Sequence, residues 1–220
     1  MKTRGGESIE FDVCGPGGVW RTIKNEEEFG FLVNLFWNVK SSLPFIAKEG
    51  ARKKDPVPLA IFAAIAAKKA LGMEVNRERE LLFSRLEGIT EVRIRFLGRE
   101  VTLPCVARTF GLLYQTFVMN QYDVSRKNIE GKVVVDVGAN IGDFSFFCAF
   151  FSPKAVYAFE PMSHTFDVLK KSISENGMEG LIIPDKKGLG EKRLVEYLAL
   201  GEDAAIGRAE ARQGEKEQVR

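Results

Sequence analysis

The sequence has little of what holds a metal or staples a small fold. It contains one histidine and three cysteines in 220 residues. Cys14, Cys105 and Cys148 are far apart, with no Cys-x-x-Cys, so neither a zinc site nor a disulfide framework is expected and no metal ligand is assigned. Reduced thiols in a cytoplasmic setting follow from that usage. Long apolar runs are also missing. The two most apolar stretches, Phe29 to Val39 and Val57 to Ala67, fall short of the roughly 20 residues a bilayer-crossing helix needs, so no membrane span is expected. Lysines flank the second stretch as they flank interfacial helices, but a core helix is the preferred reading. No charge of one sign dominates: 32 Lys and Arg against 30 Asp and Glu leave +2, too balanced to predict a polyanion partner. Met1 to Glu7 has no apolar core behind its basic residues, so no secretory leader is expected.

What is present is a globular composition, 45% hydrophobic and 28% charged, with 21 Gly against 8 Pro. It divides into unlike parts. Residues 1–108 read as a helical N-terminal region with a β-hairpin. Helical spacing covers Glu26 to about Lys48, then Asp55 to Gly72, then Asn76 to about Leu86. Val92 to Phe96 and Glu100 to Leu103 alternate in period two around Leu97-Gly98, which predicts the hairpin.

Residues 109–200 read as α/β. Phe110, Leu113 and Phe117 share one face of a helix over Thr109 to Tyr122. Val133 to Val137 is a continuous apolar run broken by Asp136, as in a strand buried on both faces of a parallel sheet. A phenylalanine-rich helix follows from Gly142 to Phe151, apolar nearly all round and expected to be covered by the N-terminal helices. Ala155 to Phe159 is a second strand, His164 to Asn176 an amphipathic helix ending at Gly177, Leu181 to Ile183 a third strand and Leu194 to Leu200 a fourth. The alternation predicts a doubly wound parallel sheet. Residues 201–220 are polar and read as a flexible tail or a solvated helix.

The chemistry concentrates in Asp136-Val137-Gly138-Ala139-Asn140-Ile141-Gly142-Asp143 and in Tyr157 to Pro161. A strand that runs through a glycine turn into a helix is expected to gather backbone N–H groups and a helix dipole where anions bind. Gly138 permits the sharp turn and close ligand approach, Asn140 tolerates positive φ, and Gly142 permits close packing. Glu160, at the tip of the next strand, is placed to accept both hydroxyl protons of a ribose. The spacing departs from G-x-G-x-x-G, with Asn140 at the middle glycine and Asp143 at the last. A carboxylate there disfavours a pyrophosphate and suits a ligand with ammonium or sulfonium charge. S-adenosylmethionine has both, with its adenosine at Glu160 and its methionine end near Asp136 and Asp143.

The segments VVVDVGANIGDFS (Val133 to Ser145) and YAFEP (Tyr157 to Pro161) resemble the FkbM family of S-adenosylmethionine-dependent methyltransferases, and more loosely class I methyltransferases in general. The resemblance covers about residues 110 to 200. It implies a Rossmann-like sheet and O-methylation of a sugar or other small-molecule hydroxyl. It also implies cofactor contacts at Asp136, Gly138, Asn140 and Gly142, ribose binding by Glu160, and an adenine edge shaped by Pro161. Gly188 to Lys192 looks like a further family segment. The family's later strand ending Ile-Asp-Val-Glu-Gly is absent, so an incomplete sheet is expected and no catalytic residue is named. Its open edge, after the fourth strand, would take a second copy or a complementing chain. A cofactor-binding remnant without activity, and an RNA methyltransferase, are the alternatives.

Other residues have plainer readings. Arg93, Arg95 and Arg99 make an RNA-binding face conceivable, although a solvated strand face is preferred and nucleic acid is not the expected partner. His164 reads as an exposed first-turn residue. The phenylalanines from 144 to 151 read as core, and Tyr114, Gln121 and Tyr122 as packing rather than a cofactor lid.

Overall fold

The computed structural model of the chain describes residues 1–23, 90–104, 109–189, 196–199 and 216–219, together with Asn25, Glu26, Phe29 and Lys68. The helices expected between residues 26 and 86 lie outside the described residues, apart from Glu26, Phe29 and Lys68, which are helical. Cys105 also lies outside them. The chain forms two compact units, Met1–Met119 and Asn120–Arg220.

The first unit carries an antiparallel sheet ordered β2-β1-β3-β4, built from β1 (Ile9–Cys14), β2 (Trp20–Thr22), β3 (Glu91–Phe96) and β4 (Arg99–Pro104). The hairpin β3–β4 forms as expected. Its turn puts Leu97 and Gly98 at φ 48° and 73°, the two positive values that match the twist of paired strands. The strands β1 and β2 were not expected, although Ile9, Phe11 and Val13 alternate with Glu10 and Asp12 in the period of a strand. Alternation decides their faces. Ile9, Phe11, Val13, Val92, Ile94, Phe96, Val101 and Leu103 are buried on one side. Phe29 joins them, its ring 4.7 Å from Phe11 and 5.6 Å from Phe110.

The opposite face of this sheet is charged but internally paired. Arg95 reaches Asp12 at 2.8 Å and Glu10 at 3.1 Å, while Arg93 reaches Glu100 at 3.2 Å and lies 4.1 Å from the Trp20 ring centroid. Cross-strand pairing of this kind supports the solvated-face reading of Arg93 and Arg95. Helix α1 (Thr109–Leu113) continues as a π-helical turn to Val118, where Met119 N–H bonds the Tyr114 carbonyl at 2.8 Å. Phe110, Leu113 and Phe117 are all fully buried, as their spacing predicts.

The second unit carries the α/β part. After α2 (Arg126–Ile129) come β5 (Val133–Val137), α3 (Asp143–Ala149), β6 (Ala155–Phe159), α4 (Ser163–Glu175) and β7 (Ile182–Asp185). The three strands pair in parallel, in the order β5-β6-β7, with Val137, Phe159 and Asp185 in register at their C-terminal ends. The described residues thus form a mixed α/β fold that includes a four-stranded antiparallel sheet and a three-stranded parallel sheet. Gly177, at φ 62°, ends α4, and Met178 N–H returns to the Ile173 carbonyl at 3.0 Å.

Two expectations about this sheet are corrected. It is not buried on both faces. Val134, Asp136, Val156, Ala158 and Ile182 are buried, but their neighbours Val133, Val135, Val137, Tyr157 and Ile183 are exposed, Val137 by 60%. A continuous apolar run therefore lies on a strand with one covered face. Nor does the fourth segment extend this sheet: β8 (Glu196–Ala199) pairs antiparallel with β9 (Lys216–Val219) in a separate ribbon. Of residues 201–220, Lys216–Val219 is described and is a strand, while the others lie outside the described residues. Among the described residues, the open edges of the parallel sheet are β5 and β7.

Candidate functional site

The C-terminal ends of parallel strands are where an α/β sheet leaves a crevice, because the chain must turn there into each helix. In this sheet those ends carry the loop 138–142 after β5, Glu160 after β6 and Asp185 at the end of β7. The loop takes three left-handed residues, Gly138 at φ 78°, Asn140 at 52° and Gly142 at 94°. Asn is among the few side chains that adopt this conformation readily, through short-range hydrogen bonding.

The two glycines do different things. A methyl group built on Gly142 would come within 2.6 Å of Leu169 Cδ1 and 3.0 Å of Phe146 Cε2, so its missing side chain lets the start of α3 close against α4. No other atom lies within 4 Å of a methyl built on Gly138. That side of the loop is open to a ligand.

Four of the loop's five N–H groups are bonded within the protein rather than turned toward a bound anion. Gly138 and Ala139 both donate to the Phe159 carbonyl at 2.9 Å, Asn140 donates to Glu160 Oε2 at 2.8 Å, and Gly142 donates to the Ala139 carbonyl at 2.7 Å. The helix that follows is seven residues long. Three carboxylates from the elements around the loop lie beside it instead. Asp136, Asp143 and Glu160 are all more than nine-tenths buried.

Glu160 is the junction of the site. Its Oε2 takes the Asn140 N–H, and its Oε1 takes the Met162 N–H at 2.9 Å and the Thr165 hydroxyl at 2.8 Å. Asp136 accepts the Ser145 hydroxyl on Oδ2 at 2.6 Å. Burial pushes the Asp136 carboxyl up to about 6; the Ser145 hydrogen bond opposes this, and the charges of Asp143 and Glu160 add to it. The same surroundings reach Cys148, whose thiol burial and the Asp136 charge push up to about 12. It is a buried, unreactive thiol.

Tyr122 completes one wall. Its ring meets Phe144 edge-on at 4.7 Å, while 57% of the residue is exposed. Partial burial, then the charges of Asp143 and Asp136, hold its hydroxyl above the usual range. The plain packing reading of Tyr122 gains a neighbour in the acidic site. Phe146, Phe147, Phe150 and Phe151 are core as expected, and His164 is exposed in the first turn of α4.

The structure therefore gathers Asp136, Asn140 and Glu160 at one place, with Gly138 opening beside them and Gly142 packed beneath. Pro161 lies 3.9 Å from a methyl built on Gly188, which puts the 188 segment next to the Glu160 tip. Residues 190–192 of that segment lie outside the described residues. Ser145 and Thr165 were not singled out in the sequence. A hydroxyl inside a phenylalanine-rich helix, and a threonine one turn beyond a strand-tip glutamate, are the signals that mark them. Among the described residues no group of three or more His, Cys, Asp or Glu could hold a metal, and no helix is long and apolar enough to cross a membrane.

No protein-family model matches the chain, and neither does any curated protein sequence. Several solved structures are similar to part of it. One is Trm5b from Pyrococcus abyssi, at 24% identity over 49% of this chain and 30% of that one, with a TM-score of 0.31. Another is a tRNA m1G37 methyltransferase of M. jannaschii, at 27% identity over 43% and 28%, with a TM-score of 0.30. A third is PRMT6 solved with SAH, at 32% identity over 27% and 17%, with a TM-score of 0.26. The chain spans less than a third of the length of each of these three.

Proposed function

We propose that the crevice at the ends of β5 and β6 binds S-adenosylmethionine and that the protein is a methyltransferase of the FkbM type. The hydroxyl of a sugar or another small molecule is the acceptor we favour. The observation that carries the cofactor reading is the Glu160 carboxylate, fixed by three protein donors at the tip of β6. A carboxylate has about four acceptor positions, so three protein donors leave room for a ribose hydroxyl at a site whose geometry is already set.

The rest of the site fits the other parts of the same ligand. Asp136 and Asp143 form a buried negative wall, and Asp136 titrates high because its surroundings resist its charge. A sulfonium or ammonium group placed there would relieve that resistance. The open side of Gly138 lets the methionine portion approach the backbone, and Pro161 borders the adenine. The cofactor supplies a methyl group already activated on sulfur, so the chain's residues have to bind it, orient it and exclude water. Asn140 and Glu160 hold the loop rigid for that alignment. The acceptor follows from the loop's resemblance to the FkbM family, while one of the similar structures described above is a tRNA methyltransferase.

Binding without transfer is a second reading, favoured by the position of β5 at an edge of the described sheet. Ligand crevices form where strands depart to both sides, and a second copy or complementing chain at β5 would create that arrangement. Calorimetric titration of S-adenosylmethionine into the wild type and Glu160→Ala tests the first step. Binding by the wild type and its loss in the variant are expected, and no binding by the wild type would overturn the reading. Methyl transfer from labelled cofactor to sugar acceptors, with RNA as the comparison, then separates enzyme from binding module.

A further inference from the structure

We propose that Ser145 is a positioning residue that keeps Asp136 charged and oriented for the cationic end of the cofactor. The inference rests on the cofactor reading above and adds a residue to it.

Ser145 sits in α3 with no solvent exposure, in the sequence Phe144-Ser145-Phe146-Phe147. A hydroxyl at such a position lowers helix propensity relative to alanine and costs desolvation unless it is bonded. Its hydroxyl donates to Asp136 Oδ2 at 2.6 Å, the short length of a bond to an ionised carboxylate. The Ser145 backbone N–H acts on Asp136 in the same sense. One residue thus offers the carboxylate both a side-chain and a backbone donor.

Among the described residues, the other titratable groups that act on Asp136 or are acted on by it are acidic or neutral. Asp143 opens α3, Glu160 lies at the tip of β6, Cys148 is one turn further along α3, and Tyr122 precedes α2. Burial and the two neighbouring carboxylates favour the protonated form of Asp136, and the Ser145 hydrogen bonds favour the charged form. Without the hydroxyl the balance moves toward the neutral acid, which offers no charge to an ammonium or sulfonium group.

The test titrates Asp136 by carbon-13 carboxyl NMR in the ligand-free protein, for the wild type, Ser145→Ala and Ser145→Cys. Cysteine keeps a weak donor of similar shape. Calorimetry alongside measures S-adenosylmethionine and adenosine between pH 5.5 and 8.5. In Ser145→Ala the Asp136 midpoint is expected to rise by about one pH unit, a tenfold change in its proton affinity, with Ser145→Cys between. S-adenosylmethionine should then bind about twofold more weakly at pH 7, about fivefold more weakly at pH 6, and as the wild type does by pH 8.5, while adenosine, which carries no cation, binds unchanged.

An unmoved Asp136 midpoint overturns the proposal, as does a loss of S-adenosylmethionine affinity that is equal at every pH and shared by adenosine. If Ser145→Ala does not fold, the Ser145→Cys titration decides alone. A wild type that binds neither ligand removes the cofactor reading, and the NMR midpoints still decide whether Ser145 holds the charge on Asp136.

Discussion

The Glu160 carboxylate accepts the backbone N–H of Asn140 at 2.8 Å, tying the tip of β6 to a left-handed residue in the loop after β5. One side chain thereby fixes both parts of the candidate site, and Met162 and Thr165 fix that side chain from below. Glu160→Ala leaves the Asn140 and Met162 donors without this partner, and a destabilisation of about 1–3 kcal/mol is expected in chemical denaturation. Thr165→Val removes a single donor and should cost about 1 kcal/mol, with Thr165→Ser close to the wild type. If Thr165 matters through Glu160, cofactor affinity should fall in Thr165→Val and return in Thr165→Ser. Equal affinities in all three proteins would show that Glu160 holds its place without the hydroxyl.

The two glycines of the loop separate stability from binding. At Gly142 a methyl group meets Leu169 and Phe146 at 3.0 Å or less, with φ at 94°. Overpacking of about 1–3 kcal/mol adds to the left-handed cost in Gly142→Ala. Gly138→Ala meets open space, so it should carry only the backbone cost of about 1–2 kcal/mol. The larger fall in melting temperature is expected for Gly142→Ala. The larger fall in cofactor affinity, relative to stability, is expected for Gly138→Ala, whose new methyl group stands where a ligand would approach. A reversed order in either measurement contradicts the assignment of the two roles.

Asp136 should make stability depend on pH in an unusual direction for a carboxylate. Its folded value of about 6 lies above its ordinary 3.8. Below about pH 4 the group is protonated in both folded and unfolded chains, and its burial carries no charge penalty. As pH rises from about 4 to about 6, the folded state binds more protons than the unfolded state, so this group's contribution to stability falls; above that it is constant. Asp136→Asn removes the penalty while retaining an acceptor for Ser145. It should stabilise the protein at pH 7 by on the order of 3 kcal/mol at most, with the gain vanishing near pH 4. Unfolding curves for both proteins from pH 4 to pH 8 give the difference directly, and a pH-independent difference would assign the effect to packing. Weaker cofactor binding by the more stable variant is expected, since the strained charge is what the ligand's cation meets.

The parts of the fold visible in the sequence are those set by neighbours in the chain. Val133 to Val137 and Ala155 to Phe159 read as strands from their apolar runs, and Gly138, Asn140 and Gly142 read as a turn because few residue types adopt positive φ. Ile9 to Cys14 was missed although its faces are also set locally. Its alternation, Glu10 and Asp12 between Ile9, Phe11 and Val13, is a strand signal of period two, but its pairing depends on Thr22 and on Arg95, far along the chain. The strand Glu196–Ala199 was placed in the wrong sheet because its partner is fixed by pairing with Lys216–Val219, which periodicity does not report. At the site, Asp136 and Glu160 were recognisable by their positions after apolar runs. Ser145 and Thr165 were not, since a hydroxyl's partner depends on how the turn folds back.

The faces of β5 are the sharpest case of what an apolar run leaves open, and they can be tested by substitution. Val134 is buried against the helix side, while Val135, one residue on, is 54% exposed and pairs in register with Tyr157 and Ile183. Val134→Thr would place a hydroxyl in a covered, apolar setting and should cost about 1–3 kcal/mol. Val135→Thr should change stability by less than about 0.5 kcal/mol, because threonine suits a strand and its hydroxyl meets water. Denaturation of the two variants under the same conditions measures both. A cost at Val135 as large as that at Val134 would mean that the second face of the sheet is covered in solution, as parallel sheets usually are. Size-exclusion chromatography of the wild type over a range of concentrations would then show whether a second copy supplies the cover.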